Sequence, residues 1–255
     1  MRKCWAACLG DCSGKITKEH IVTKSVFIDD EIKIKGFPSC RLAPKLIPKE
    51  SFESNILCWK HNNDLSYIVD PAGKSAFDVF RKVAAFSEQR TTAIKATGLV
   101  LPFEQVKYMI DGPNLERWFL KTLINIVIVG KGKVPIGSNR GDAGEPSQEL
   151  VEIAFGRKQF VDGAGIYFFS HTQLTWDPNG EGVTCIPWIL ADPAGAHIVA
   201  GEFWFYEFPF FLNLMPVKIP LTWNFKGRPA KFLHRLSRIN FNLEGDVRQK
   251  VNFKW

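Results

Sequence analysis

No run of apolar residues in this chain is long enough to cross a membrane. A spanning helix needs about 18 or more, and the nearest stretch, Phe203 to Met215, is broken by Glu207, Pro209 and Asn213. The opening residues, Met1-Arg-Lys-Cys-Trp, hold no signal-peptide core. The expectation is a cytoplasmic protein with no membrane partner. Also missing are a glycine-rich phosphate loop of the P-loop or dinucleotide type and any nucleophile elbow, which sets aside the enzymes built on those motifs. There is no internal repeat and no low-complexity tract, so solenoid architectures are set aside too.

The chain does have 255 residues, enough for one large or two modest domains with a real core. Its 45% hydrophobic and 23% charged residues fit a soluble globular protein. The 21 Phe and 8 Trp favour β-rich packing. A formal charge of +7 suits a polyanionic partner. Much of it sits in residues 227–255, where Arg228, Lys231, Arg235, Arg238, Arg248, Lys250 and Lys254 face only Glu244 and Asp246. That tail is either a solvated face or a set of phosphate contacts. Six cysteines without an export signal point to reduced thiols. Three of them, Cys4, Cys8 and Cys12, crowd the first twelve residues, which favours metal binding over disulfides. Cys40 and Cys185 are isolated and read as buried structural residues, and His171, His197 and His234 have no partner pattern.

Along the chain, Ile16 to Val22 is expected as a strand presenting Glu19 and His20. Residues 28–53, with Gly36, Pro38, Pro44 and Pro48, are expected as a long loop holding a short β piece at Ile32 to Ile34. A helix should start near Cys58 or His61, and another at Asp70-Pro71 with Ala76, Phe77, Phe80, Val83 and Ala84 on its apolar face. Leu99 to Phe103 is expected as a strand. Gly112-Pro113-Asn114 predicts a helix start with Asn114 as N-cap and Glu116 in the first turn. Its core face is Leu115, Trp118, Phe119, Leu123, Ile126 and Val127, and Gly130 ends it. Residues 130–149, rich in Gly, Pro and Ser, predict a boundary or mobile loop. Beyond them, Leu150 to Phe155, Gly165 to Phe169, Val183 to Leu190, His197 to Phe208, Phe210 to Leu214 and Lys218 to Trp223 are expected as strands. The organisation expected is α+β: a metal-binding module over 1–70, a helical connector over 71–130, and a β-rich domain over 150–255.

The chemistry concentrates in two places. Cys58-x2-His61 offers a thiolate and an imidazole at zinc-ligand spacing, and two more ligands must come from elsewhere to close a tetrahedron. Cys4, Cys8 and Cys12 are available, with identical spacing between neighbours. Cys8 and Cys12 are preferred because Gly10 lies between them and lets the backbone turn toward the sulfurs; Cys4 is the alternative ligand. Between the two knuckles stands Glu19-His20, and Asn55, Asn62 and Asn63 flank Cys58 and His61. Phosphodiester hydrolysis asks for an activated water and neutralised phosphate charge, and a neutral His and hard oxygen ligands supply these.

Taken in order, Cys8 and Cys12, Glu19-His20-Ile21, Asn55 and Cys58-x2-His61-Asn62 resemble the zinc-knuckle, treble-clef members of the HNH endonuclease family, over roughly residues 4–66. His61 stands where that family usually has a second Cys, Glu19 where it usually has Asp, and the insert before Asn55 is longer than usual. The resemblance implies a ββα-metal nuclease module with a structural zinc on Cys8, Cys12, Cys58 and His61. It implies that His20 is the general base and that Glu19 and Asn62, with Asn63 as second choice, hold a catalytic Mg²⁺ or Mn²⁺. Asn55 would hold the His20 ring or the loop. The partner implied is nucleic acid, DNA first, in restriction or anti-phage defence. The β-rich part could mediate homo-oligomer or partner-protein contacts. Two rivals stand beside this: a non-catalytic zinc-stabilised nucleic-acid-binding module, and a structural or assembly protein with a zinc staple.

Overall fold

The computed structural model describes residues 4–37, 40, 43–98, 106–132, 134–137, 144–169, 182–192, 195–206, 208–216, 224–225, 228–229, 233–235, 241–242 and 249–255. The fold is mixed α+β, with helix and strand in near-equal shares (38% and 35%). Among the described residues, no helix is long and apolar enough to cross a membrane.

The N-terminal part is a two-stranded ribbon and a helix. Strand β1 (Ile16–His20) pairs antiparallel with β4 (Glu53–Cys58), and the chain runs directly into helix α1 (Trp59–Ile68). Between the ribbon strands lie β2 (Glu31–Lys35) and β3 (Lys45–Pro48). The expected loop over 28–53 thus holds a hairpin, and the hairpin belongs to another sheet. Ile34 of β2 pairs in parallel with Val183 of β7 (Val183–Asp192), far along the chain. A seven-stranded sheet results, in the order β12-β6-β9-β8-β7-β2-β3. Its other members are β6 (Gly165–Phe169), β8 (Gly195–Phe205), β9 (Phe208–Asn213) and β12 (Leu233–Arg235). The sheet therefore runs across the boundary expected near residue 70.

Helices α2 (Asp70–Thr97) and α3 (Gly112–Val129) pack on one face of this sheet. Helix α2 starts where Pro71 can occupy the first turn without losing a hydrogen bond, and it ends at Gly98 in the left-handed conformation. The start of α3 differs from the expectation. Asp111, not Asn114, is the N-cap, its carboxylate accepting from the Asn114 N–H at 3.1 Å, a contact that typically stabilises by ~1 kcal/mol. Phe77 of α2 meets Phe205 (centroids 4.9 Å apart), while Phe119 of α3 meets Phe210 (4.8 Å) and Phe203 (5.2 Å). Each ring fully buried in this way stabilises by roughly 1.5–3 kcal/mol relative to exposure. The core positions expected on both helices are all buried, and α3 is buried on its other face as well, through Glu116, Lys121, Thr122 and Asn125. A helix enclosed on all sides is a central element, not a connector.

Two further expectations are corrected. The stretch Leu150 to Phe155 is not a strand: Leu150 to Ala154 lie in helix α4 (Gln148–Ala154) and Phe155 is its C-cap; Ser147 caps the start by accepting from the Leu150 N–H, and Leu150, Val151, Ile153 and Ala154 turn inward. The 130–149 stretch is tied into the fold where it is described. Ile136 is fully buried and bridges both Pro146 and Ile198. A three-stranded sheet, β13 (Phe241–Asn242), β14 (Gln249–Lys254) and β5 (Val106–Asp111), and the short pair β10 (Asn224–Phe225) and β11 (Arg228–Pro229) complete the fold. The strands expected at Leu99 to Phe103 and Lys218 to Trp223 lie outside the described residues, as do His171, Lys231, Arg238 and Arg248.

Candidate metal centre

The base of the ribbon and the start of α1 meet the N-terminal segment at a cluster of soft ligands. Cys4, Cys12, Cys58 and His61 each offer one ligand atom, and all four atoms lie within 4.8 Å of one another. Cys58 ends β4 and is the N-cap position of α1, which puts His61 one turn into the helix on the same side. The Nδ1 atom of His61 stands 3.3 Å from Cys4 Sγ, 3.6 Å from Cys12 Sγ and 3.4 Å from Cys58 Sγ. Three sulfurs around one imidazole nitrogen could hold a metal ion. The other ring nitrogen, Nε2, faces Asp11 Oδ1 at 2.8 Å. That contact points Nδ1 at the sulfurs, the usual way a carboxylate orients a ligating His. Asp11 also accepts from Lys60 Nζ (2.9 Å) and Arg157 Nη2 (3.1 Å), and the ring of Phe155 closes edge-on over His61 at 5.1 Å.

Cys8, the expected ligand, lies outside the cluster and is exposed; Cys4 takes its place. The reason is a single 3₁₀ turn, Ala7–Leu9, whose C-cap Gly10 adopts φ +79°. The turn folds the segment back so that residues 4 and 12 come together and Cys8 points outward. Gly10 therefore serves as a left-handed cap rather than as part of a tight knuckle. Burial pushes the Cys4 thiol up to about 12 and raises Cys12. Burial acts on Cys58 in the same sense, but backbone hydrogen bonds at His61 and Ser13 hold its thiol below the ordinary value. A bound cation would reverse the penalty on all three.

The residues expected around a second, catalytic cation are placed as follows. His20 ends β1, half-buried, with Nε2 3.9 Å from Glu50 Oε2 and no hydrogen-bond partner among the described residues. Burial, and Lys24 after it, lower its pKa. Glu19 points the other way. It is buried against Lys121 Nζ of α3 at 2.5 Å, and Lys121 also reaches Asp70 Oδ1 at 2.6 Å. Burial works against the Lys121 charge, but Glu19 and Asp70 more than offset it and raise its pKa. Asn62 donates its amide to Thr17 Oγ1 (3.0 Å) and Lys18 O (2.8 Å), tying α1 to the ribbon, and accepts from Ser66 at 3.3 Å. Asn55 is exposed opposite Lys18, two cross-strand pairs from His20, and Asn63 is exposed on α1. The carboxylate expected to hold Mg²⁺ or Mn²⁺ is thus committed to an ammonium group, and the side chains do not form a prepared second site.

Four residues that shape the site escaped the sequence reading. Asp11 orients His61. Lys121 and Asn125 lie four residues apart on α3, and Asn125 donates to the His20 carbonyl (3.2 Å) while accepting from Trp5 Nε1 (3.1 Å). Thr23 completes this bracing, accepting from Trp118 Nε1 (2.9 Å) and donating to Asp70 (2.5 Å). The available signal was two polar residues on faces of a helix too apolar to be exposed. No family model matches the chain, and neither a curated protein nor a solved structure shows significant similarity to it.

Proposed function

We propose that the Cys4, Cys12, Cys58 and His61 cluster is a structural zinc site in a treble-clef-like frame, and that the ribbon and helix it braces form an HNH-type endonuclease module acting on DNA. Tetrahedral zinc with Zn–S of ~2.3 Å and Zn–N of ~2.0–2.1 Å implies S···N separations of about 3.6 Å. The separations here are 3.3–3.6 Å. Four protein ligands close the site, which suits a structural ion.

The observation that carries the catalytic part is His20. Its imidazole is biased toward the neutral form, and Nε2 is buried without a hydrogen bond among the described residues. Such an orphan costs about 1–3 kcal/mol and calls for an explanation. A water on the scissile phosphate would relieve it once the exposed Glu50 side chain turns aside. His20 would take the water proton, hydroxide would attack phosphorus, and the P–O bond to the leaving sugar oxygen would break, that oxygen gaining a proton. A divalent cation would neutralise charge on the phosphate. Glu19, held by Lys121, is not free to bind such a cation. In this scheme Lys121 and Asn125 hold the end of β1 that carries His20.

The Glu19–Lys121 pair also favours a second reading, a zinc-stabilised nucleic-acid-binding module without catalysis. Plasmid nicking by wild type and His20→Ala at equal zinc content, with Mg²⁺, Mn²⁺ or chelator, separates the two. Cleavage lost only in the variant supports the nuclease; equal cutting moves the active site elsewhere; no cutting under any condition favours the binding module.

A further inference from the structure

Away from the metal centre, a cleft of about 120 Å³ opens between the first turn of α3, the segment after α4 and the C-terminal end of the chain. Arg117, Lys158 and Arg235 contribute three cations to its lining, Glu116 one carboxylate, and Phe160 and Trp255 aromatic surface. The charges are not equivalent. Arg235 is paired with Glu116 (Nη2 to Oε1, 2.9 Å), and its guanidinium lies between the rings of Tyr167 (5.9 Å) and Trp255 (6.0 Å). Glu116 is further occupied in accepting from the Ile166 N–H at 2.8 Å. Lys158 leans on Glu152 at 2.6 Å.

Arg117 differs from both. Among the described residues it has no carboxylate partner, and its one hydrogen bond goes to the neutral Asn114 side-chain carbonyl at 2.8 Å. It is half-buried, and its guanidinium lies over Gly156, where a Cβ would come within 2.8 Å of it. The group is thus held against the backbone with most of its donors unspent. Arg117 also lines an adjoining hollow of about 160 Å³ with Arg157, Phe155 and Asp64.

We propose that this cleft binds a phosphate group, held in a forked contact by Arg117, with Lys158 and Arg235 adding positive field. The cleft has room for a tetrahedral oxyanion with accompanying waters. A planar guanidinium matches two phosphate oxygens at once, and with Arg235 set against Glu116 and Lys158 against Glu152 the uncompensated positive charge at the cleft is that of Arg117, which suits an oxyanion. The phosphate could be free or belong to a nucleic-acid backbone or end.

The test uses the full chain with its metal. Thermal unfolding is followed with inorganic phosphate against chloride at matched ionic strength, and anisotropy is measured with a labelled oligonucleotide with and without a 5′-phosphate. Wild type should be stabilised by phosphate through mass action. Arg117→Gln should weaken binding about ten-fold or more, and Arg117→Lys, which keeps the charge but loses the fork, should weaken it less. Metal content and circular dichroism show whether each variant is folded, and Lys158→Gln gives a second, independent variant. Preference for the 5′-phosphorylated strand identifies a terminal phosphate, equal binding of both strands a backbone phosphate, and response to inorganic phosphate alone a free anion. Binding that is unchanged in Arg117→Gln and Lys158→Gln, or absent in wild type for every probe, overturns the proposal.

Discussion

Replacing Lys121 with Met should be among the most damaging single substitutions in this chain, and the damage should come from what is left behind. The Lys121 side chain is 1% exposed and Glu19 3%, with contacts of 2.5 Å to Glu19 and 2.6 Å to Asp70. Methionine nearly matches the lysine stem in volume, so little packing is lost. What remains is a buried carboxylate at Glu19 facing a second one at Asp70 with no cation between them. Removing one partner of a buried pair typically costs about 3–5 kcal/mol, and two abandoned carboxylates place this variant toward the upper part of that range. Against a total stability of ~5–15 kcal/mol, urea unfolding at pH 7 should show a large drop in midpoint. The drop should shrink as pH falls toward 5, because burial already pushes Glu19 upward and the variant gains most by protonating it. Adding Glu19→Gln and Asp70→Asn to Lys121→Met should recover most of the loss, since an uncharged buried set no longer carries the desolvation penalty. A Lys121→Met protein as stable as wild type at pH 7, with the same pH slope, would refute the view that this ion triad holds the end of β1.

Cys4→Ser should lose the bound metal and unfold at far lower temperature, whereas Cys8→Ser should keep both; metal analysis of the two purified proteins decides between the ligand sets. Asp11→Asn should retain the fold but weaken metal affinity by roughly 10–100-fold, read by competition with a chromogenic chelator, because it loosens the hold on His61 Nε2. Glu116, whose carboxyl is raised to about 7 chiefly by burial, binds a proton more readily folded than unfolded. It should therefore add stability below about pH 4.5 that is lost as pH rises through 7, an effect of about 1–3 kcal/mol. Glu116→Gln should flatten that part of the stability–pH curve, and an unchanged curve would count against the burial argument.

The parts of this fold that could be read from sequence are those written in local periodicity. The apolar spacing of Phe77, Phe80 and Val83 and of Leu115, Trp118 and Phe119 marks two helices that are indeed core. The three-residue gap between Cys58 and His61 places two ligands on one side of a helix start. The choice between Cys4 and Cys8 could not be made this way, because both stand four residues from a neighbouring cysteine and only the 3₁₀ turn at Ala7–Leu9 separates them. Leu150 to Ala154 misled because a short run of β-branched residues carries no period long enough to distinguish strand from helix. Lys121 was invisible for a different reason. A lysine in sequence is presumed solvated, and its burial is explained only by Glu19 and Asp70, which lie far from it along the chain.

The parallel pairing of β2 with β7 has a consequence for synthesis. Ile34 finds its partner at Val183, about 150 residues later, which at ~5–20 residues per second is a wait of roughly seven to thirty seconds on the ribosome. Cys4, Cys12, Cys58 and His61 have all emerged long before that. Metal capture can therefore close the ribbon early, with Ile32 and Ile34 in a hairpin with β3 whose other edge has no neighbour yet. In the finished protein both side chains are buried. During translation they sit on a strand edge that is open to pairing with another chain.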